Sequence, residues 1–209
     1  MIVYHIRYTQ EQIRQSKMEG YNMTEIITSE FQEKVEQAIL ELPVMEYAFF
    51  DASDVVYNDR VRQICVDNSC GRYNKSWSCP PAIGTIEECI AKCKKYEKGF
   101  IFSTIVEVED EFDFAEAIKL KDTHEVVTLQ VQDIFKELTN NNCLVLSSGC
   151  MLCDECAYPN APCRHPDKMI ASVESHGIMI MQVADEHGLC FYMGNNIIIY
   201  FGLVLYNEA

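Results

Sequence analysis

TIEECIAKCKKYEKGFIFSTIVEVED, Thr85–Asp110, changes its periodicity partway along, and that change decides the fold. Its first half places Ile86, Cys89, Ile90 and Cys93 three and four residues apart. Thr85 stands in front as a cap, with the early acidic pair Glu87-Glu88, so the spacing predicts a helix closing at Gly99. Its second half is rich in β-branched and aromatic residues and reads as a strand.

The same alternation continues on both sides. TEIITSEFQEKVEQAILEL, from Thr24, has Ile27, Phe31, Val35, Ala38, Ile39 and Leu42 at amphipathic spacing, and EYAFFDA follows as a short strand. Downstream, DFAEAIKLKDTHEVVTLQVQDIFKELTNNN carries Leu120, Val127, Val131, Ile134, Phe135 and Leu138 along one helical face and ends in an Asn run. CLVLSS is then a strand, HPDKMIASVESHG a helix from Pro166 to Gly177, MIMQVADEHG a shorter helix and IIIYFGLVLY a terminal strand. Helices alternating with strands imply an α/β fold, a mixed sheet covered by helices and interrupted by cysteine-rich loops, with α+β as the alternative.

No repeat or linker divides the chain, so residues 23–209 are expected to form a single domain. Residues 1–22 are expected to be an N-terminal extension. Met18-Glu19-Gly20 can be encoded by a sequence resembling a bacterial ribosome-binding site just upstream of Met23, which makes Met23 an alternative to Met1 as the native start.

A chain of 209 residues, 48% hydrophobic, buries a core without covalent staples. The net charge of -15, with no stripe of Lys and Arg, argues against nucleic-acid binding. No apolar run approaches the roughly 20 residues of a membrane span, so a soluble, cytoplasmic protein is expected. In a reducing compartment eleven cysteines point to metal or redox chemistry rather than to disulfides.

Four of them crowd into SSGCMLCDECAYPNAPCRHP: Cys150, Cys153, Cys156 and Cys163. Three thiols at Cys-x2-Cys-x2-Cys spacing let a loop wrap an iron-sulfur cube, each thiolate reaching a different iron, and Cys163 supplies a fourth after the stiff Pro159 and Pro162. A [4Fe-4S] cluster is the expected cofactor; zinc and metal-free redox thiols are the alternatives. A second group, CVDNSCGRYNKSWSCPP, offers Cys65, Cys70 and Cys79, with Trp77 as a shield. Three ligands would leave one iron open.

The remaining thiols read as packing. Cys89 and Cys93 share the apolar face of their helix, and Cys143 and Cys190 adjoin apolar residues, so all four are expected to be buried. His165 lies nearest the chemistry, as a helix cap or a ligand, and Arg164 is a candidate donor to cluster sulfur; His124, His176 and His187 read as surface groups. Phosphate loops, dinucleotide fingerprints and nucleophile elbows do not occur.

SSGCMLCDECAYPNAPCRHPDKMIASVESHGI, taken with CGRYNKSWSCPP, resembles an uncharacterised bacterial and archaeal family of predicted metal-binding proteins, a domain-of-unknown-function family. The likeness rests on Cys150, Leu152, Cys153, Cys156, Cys163-Arg164-His165-Pro166 and the segment Ala171–Ile178, and it runs from about Glu46 to Tyr206. It implies a metal or iron-sulfur site on the seven cysteines. Met151 and Ile170-Ala171-Ser172-Val173 depart from its usual pattern.

The expected function is therefore an iron-sulfur protein with one or two [4Fe-4S] clusters, exchanging electrons with a redox partner protein, without membrane or nucleic acid. The ligands divide as two separate sets or cross, with Cys163 closing the first site. One alternative is an enzyme binding substrate at an open iron, with a pocket of Arg72, Tyr73 or Lys75 beside Cys79. The other is a structural zinc protein that binds partners.

Overall fold

Ser29 opens the first described helix. Its hydroxyl accepts from the Gln32 amide and the Gln32 side chain accepts from the Ser29 amide, both at 3.1 Å, a reciprocal cap for α1 (Glu30–Ile39). The structure, a computed structural model, describes residues 29–109 and 114–208, with side chains from residue 120 onward in the second segment. The expected extension 1–22, the Met23 start and the beginning of the helix read from Thr24 lie outside the described residues.

Strand β1 (Glu46–Asp51) follows α1, and a 3-10 turn leads to α2 (Asp59–Asp67). The spacing of apolar residues did not signal α2, because only Val61 is buried while Ile64 and Val66 face solvent. Its caps carry it instead: Asn58 accepts from the Arg60 amide at 2.9 Å, and Asn68 ends it at φ 56°.

Helix α3 (Ile86–Cys93) begins as expected, with Thr85 and Glu88 exchanging hydrogen bonds. It ends before Gly99, since β2 starts at Lys98 and runs to Glu107. Gly99 is a strand residue opposite Phe50, whose ring a Cβ would meet at 2.3 Å. Space for an aromatic ring, not helix termination, is what this glycine provides.

Helix α4 (Phe114–Leu138) is the long helix of the sequence, stopped by Asn140 and Asn141 at positive φ. Strand β3 (Cys143–Ser147) leads into the cysteine loop. The expected helix from Pro166 to Gly177 is replaced by a turn, a two-residue strand β4 (Ala171–Ser172) and a 3-10 turn (Glu174–His176) that does close at Gly177, φ 71°. Ser172 and Ser175 explain the difference. The Ser172 hydroxyl accepts from the Ser175 amide at 3.1 Å and the Ser175 hydroxyl donates to the Ser172 carbonyl at 2.6 Å, local bonds that compete with a helical ladder. Helix α5 (Ile180–Glu186) and strand β5 (Ile197–Tyr206) complete the described chain.

The strands form one mixed sheet, β1-β2-β5-β3-β4, antiparallel except for β3 with β4. Alternation along the central strands sorts the core. Phe100, Phe102, Val204 and Tyr206 meet α1 and α4 on one face; Ile101, Leu203 and Leu205 meet Cys93 of α3 and Val183 and Ala184 of α5 on the other. Helices therefore cover both faces, an α/β fold. The β3 carboxyl end, where Ser147 meets β4, delivers the cysteine loop beside Arg72 and Ser78 and against α4. Among the described residues no helix is long and apolar enough to cross a membrane.

Candidate metal centre

Gly149, at φ 104°, turns the chain out of β3 and into Cys150. Cys150, Cys153, Cys156 and Cys163 then line one cleft with Arg72, Ser76, Trp77 and Ser78 of the other cysteine segment. Backbone amides reach three of these sulfurs. Burial raises the Cys150 thiol, while the Leu152 and Ile170 backbone favours its anion and Cys163 and Cys153 repel it. At Cys156 burial is outweighed by the Tyr158 and Trp77 backbone, the Ser76 hydroxyl and the Arg72 guanidinium, leaving the thiol more acidic than usual. The His165 amide donates to Cys163 Sγ at 3.4 Å.

Three of the donors, Leu152, Tyr158 and His165, stand two residues beyond the cysteine they serve. Amides placed this way favour the sulfur anion, the form a metal binds, and at Cys156 they leave the thiol more acidic than usual.

The second group comes from three places: Cys65 on α2, Cys70 in the turn after it, and Cys79 beyond Asn74, whose φ of 55° reverses the loop. Burial pushes Cys65 up to about 11, and Glu174, Cys79 and Cys70 add repulsion that Arg62 partly offsets. Cys79 is also raised by burial, with Ser78, Arg72 and Lys121 offsetting and Cys70 adding to the rise. The three thiols are thus electrostatic neighbours of one another, as Cys150, Cys153 and Cys163 are in the first cleft.

The two groups adjoin. Cys150 donates its amide to Ser78 Oγ at 3.3 Å, Arg72 donates to the Cys150 carbonyl, and Trp77 Nε1 donates to the Ala161 carbonyl at 3.0 Å. Trp77 also meets Tyr158 edge-on at 4.9 Å, and Tyr158 donates to Asn74 at 3.0 Å. Among the described residues no three Cys, His, Asp or Glu side chains converge as ligands of one ion. The sulfurs surround a cleft.

All eleven cysteines are free thiols. Cys89 and Cys93 are buried as expected, and Cys143 packs partly against the core. Cys190 is not buried: it is exposed and donates to the Tyr192 carbonyl at 2.9 Å, because the segment before β5 turns outward. His165 is exposed, and Arg164 donates to the Glu155 carbonyl at 2.9 Å instead of to sulfur. Of the pocket expected beside Cys79, Arg72 lines the cleft, whereas Lys75 is exposed and Tyr73 lines neither cleft.

His124 and His176, expected at the surface, are fully buried. His124 shares a 2.8 Å hydrogen bond with Thr104 and lies between Phe102 and Tyr200; His176 bonds Ser175 and Ser172. Both belong to a helix or turn face whose neighbours in sequence are polar, so periodicity concealed them.

Glu125 was also missed, lying on the sheet-facing side of α4. It accepts from Ser147 Oγ at 2.8 Å, Ser148 Oγ at 2.6 Å and the Ser148 amide at 3.2 Å, yet burial still raises its carboxyl above the ordinary value. It helps line a cleft of about 230 Å³ between α4 and the loop at Cys150.

Fold and thiol content define a cysteine-rich α/β protein. The family model for predicted metal-binding proteins (DUF2284) matches residues 48–206, and the chain belongs to that family. No curated protein and no solved structure matches it.

Proposed function

We propose that this chain is an iron-sulfur protein that carries electrons. Cys150, Cys153, Cys156 and Cys163 hold a [4Fe-4S] cluster, and Cys65, Cys70 and Cys79 hold a second centre beside it. The observation carrying this is the loop itself: four thiols at cluster spacing face one cleft, with a backbone amide two residues on serving three of them. Zinc would draw four sulfurs to about 2.3 Å from a single point. A cubane accepts each thiolate at a different corner, which suits sulfurs spread around a cleft.

The neighbours of Cys163 favour separate ligand sets. It lines the same cleft as Cys150, Cys153 and Cys156 and acts on Cys150, which supports its closing that loop. When bound, the cluster supplies a one-electron carrier; the chain fixes the thiolates, donates amides to sulfur and uses Trp77 and Leu152 to limit water. The partner is a redox protein in a reducing, cytoplasmic setting.

A second reading, an enzyme acting on a small molecule, is favoured by the cleft between α4 and Cys150, which shares Cys150 and Leu152 with the cysteine cleft.

Anaerobic purification followed by iron, sulfide and zinc analysis tests the proposal, with absorption spectra before and after reduction. About eight irons per chain fit two cubanes and about four fit one. Zinc alone, with no visible absorption, overturns it.

A further inference from the structure

The first cysteine group has three thiols, and the cysteine that shares Arg62 with it, Cys89, accepts from that guanidinium at 3.8 Å. Cys89 and Cys93 point into the core from α3, where Cys89 donates to the Ile83 carbonyl at 3.8 Å. What faces the group instead is the 3-10 turn at Glu174–His176, against which α2 packs.

The packing has a direction. At the start of α2, the Asn58 amide donates to the Gly177 carbonyl at 2.7 Å. One turn along, Arg62 donates to the Ser175 carbonyl. Moving forward along α2 thus means moving backward along the turn, and the next residue on that helix face is Cys65, three beyond Arg62. Its counterpart is Glu174, which stands first among the charged groups acting on Cys65.

Glu174 is partly buried, which raises its carboxyl above the ordinary value; among the described residues it forms no ion pair, and the hydrogen bond that favours its anion comes from its own backbone. Lys121, the cation that acts on it, donates to the Ser148 carbonyl at 3.2 Å. A carboxyl group drawn inward beside Cys65, with only its own backbone as hydrogen-bond donor, has the place and chemistry of a further ligand.

We propose that Glu174 is the fourth ligand of the Cys65, Cys70 and Cys79 centre, making it a three-sulfur, one-oxygen site. This rests on the reading of that triplet as a metal centre. Oxygen is a harder donor than thiolate, so the metal it holds exchanges more readily than its sulfur-bound neighbours. The site is built with one displaceable position.

The test compares full-length wild type with Glu174→Gln, Glu174→Cys and Cys65→Ser, each loaded anaerobically with iron and sulfide. Iron per chain and the paramagnetic resonance of the reduced protein are measured, with circular dichroism to follow folding. Cys65→Ser is expected to remove one spectral component. Glu174→Gln should alter or remove that same component and leave the other as in wild type, while Glu174→Cys should keep the iron and shift the component as a fourth thiolate replaces oxygen.

A component that responds to Cys65→Ser but is identical to wild type in both Glu174 variants overturns the ligand assignment alone. Wild type lacking any component sensitive to Cys65→Ser overturns the metal reading of the triplet, and with it this inference. Should Glu174→Gln fail to fold, Glu174→Cys decides, since a shifted component at full iron content requires position 174 to touch the metal.

Discussion

Cys150 and Ser78 tie the two cysteine segments together across 72 residues of sequence, the Cys150 amide donating to Ser78 Oγ at 3.3 Å. Ser78 is fully buried, shares a 3.0 Å contact with Ser76 and lies 3.8 Å from Cys79 Sγ. One hydroxyl therefore touches the backbone of one cysteine segment and a sulfur of the other. Neither segment is positioned alone.

Ser78→Ala removes that acceptor without adding bulk and leaves the Cys150 amide without its partner. The expected cost is about 1–3 kcal/mol, the penalty for an unpaired buried polar group. Urea unfolding of the metal-free protein should show a lower midpoint at unchanged slope. A midpoint equal to wild type would mean that the contact does not hold the segments together.

Cys163 closes the C-terminal loop, its sulfur accepting from the His165 amide two residues on. Cys163→Ser should lower iron by up to about four per chain, or convert that centre, while the component sensitive to Cys65→Ser stays as in wild type. Metal analysis and reduced-state spectra read the outcome. Loss of the Cys65-dependent component instead would show that the ligand sets cross.

Much of this was legible because the fold is written in local pattern. The capping pair Thr85 and Glu88, the β-branched and aromatic run of β2 and the Asn stop after α4 each act within a few residues, and each of these elements formed, although the helix after Thr85 ends at Cys93 and not at Gly99. The segment after Pro166 was not, since its backbone is settled by pairing with β3 and by Ser172 and Ser175, not by hydrophobic spacing. The cysteine groups were visible from spacing. Their surroundings were not: Ser78, Glu125 and Glu174 meet them through packing between distant elements, which leaves no mark at fixed sequence separation.

Gly202 lies opposite Phe102 in the β2–β5 register, and a Cβ there would come within 2.3 Å of the Phe102 ring. Phe102 is fully buried on the α4 face, stacked on Phe100 at 5.9 Å, so the ring has little room to retreat. Gly202→Val should destabilise by about 1–3 kcal/mol through overpacking, despite the better strand propensity of valine. Thermal unfolding checks the sign. A rise in melting temperature would show that the ring relocates at no cost.

His124 makes the stability of the protein depend on pH. Burial lowers its pKa from the ordinary 6.5 to about 4, with the Phe201 backbone acting partly in the other direction, so the folded imidazole stays neutral where the unfolded one is charged. Between about pH 6.5 and 4 the unfolded chain therefore binds more protons at this residue. Its contribution is fully present above 6.5 and is lost as pH falls toward 4, on the order of 3 kcal/mol in all. His176, lowered by burial to about 4, acts with the same sign, and Glu125 and Glu174, raised by burial, act with the opposite one, so the total slope mixes all of these. His124→Phe isolates the histidine: denaturant unfolding of the metal-free variant, measured from pH 7 to 4.5, should lose stability less steeply than wild type by up to about one proton. Equal slopes in the two proteins would show that His124 titrates normally in the folded state, and so is open to water.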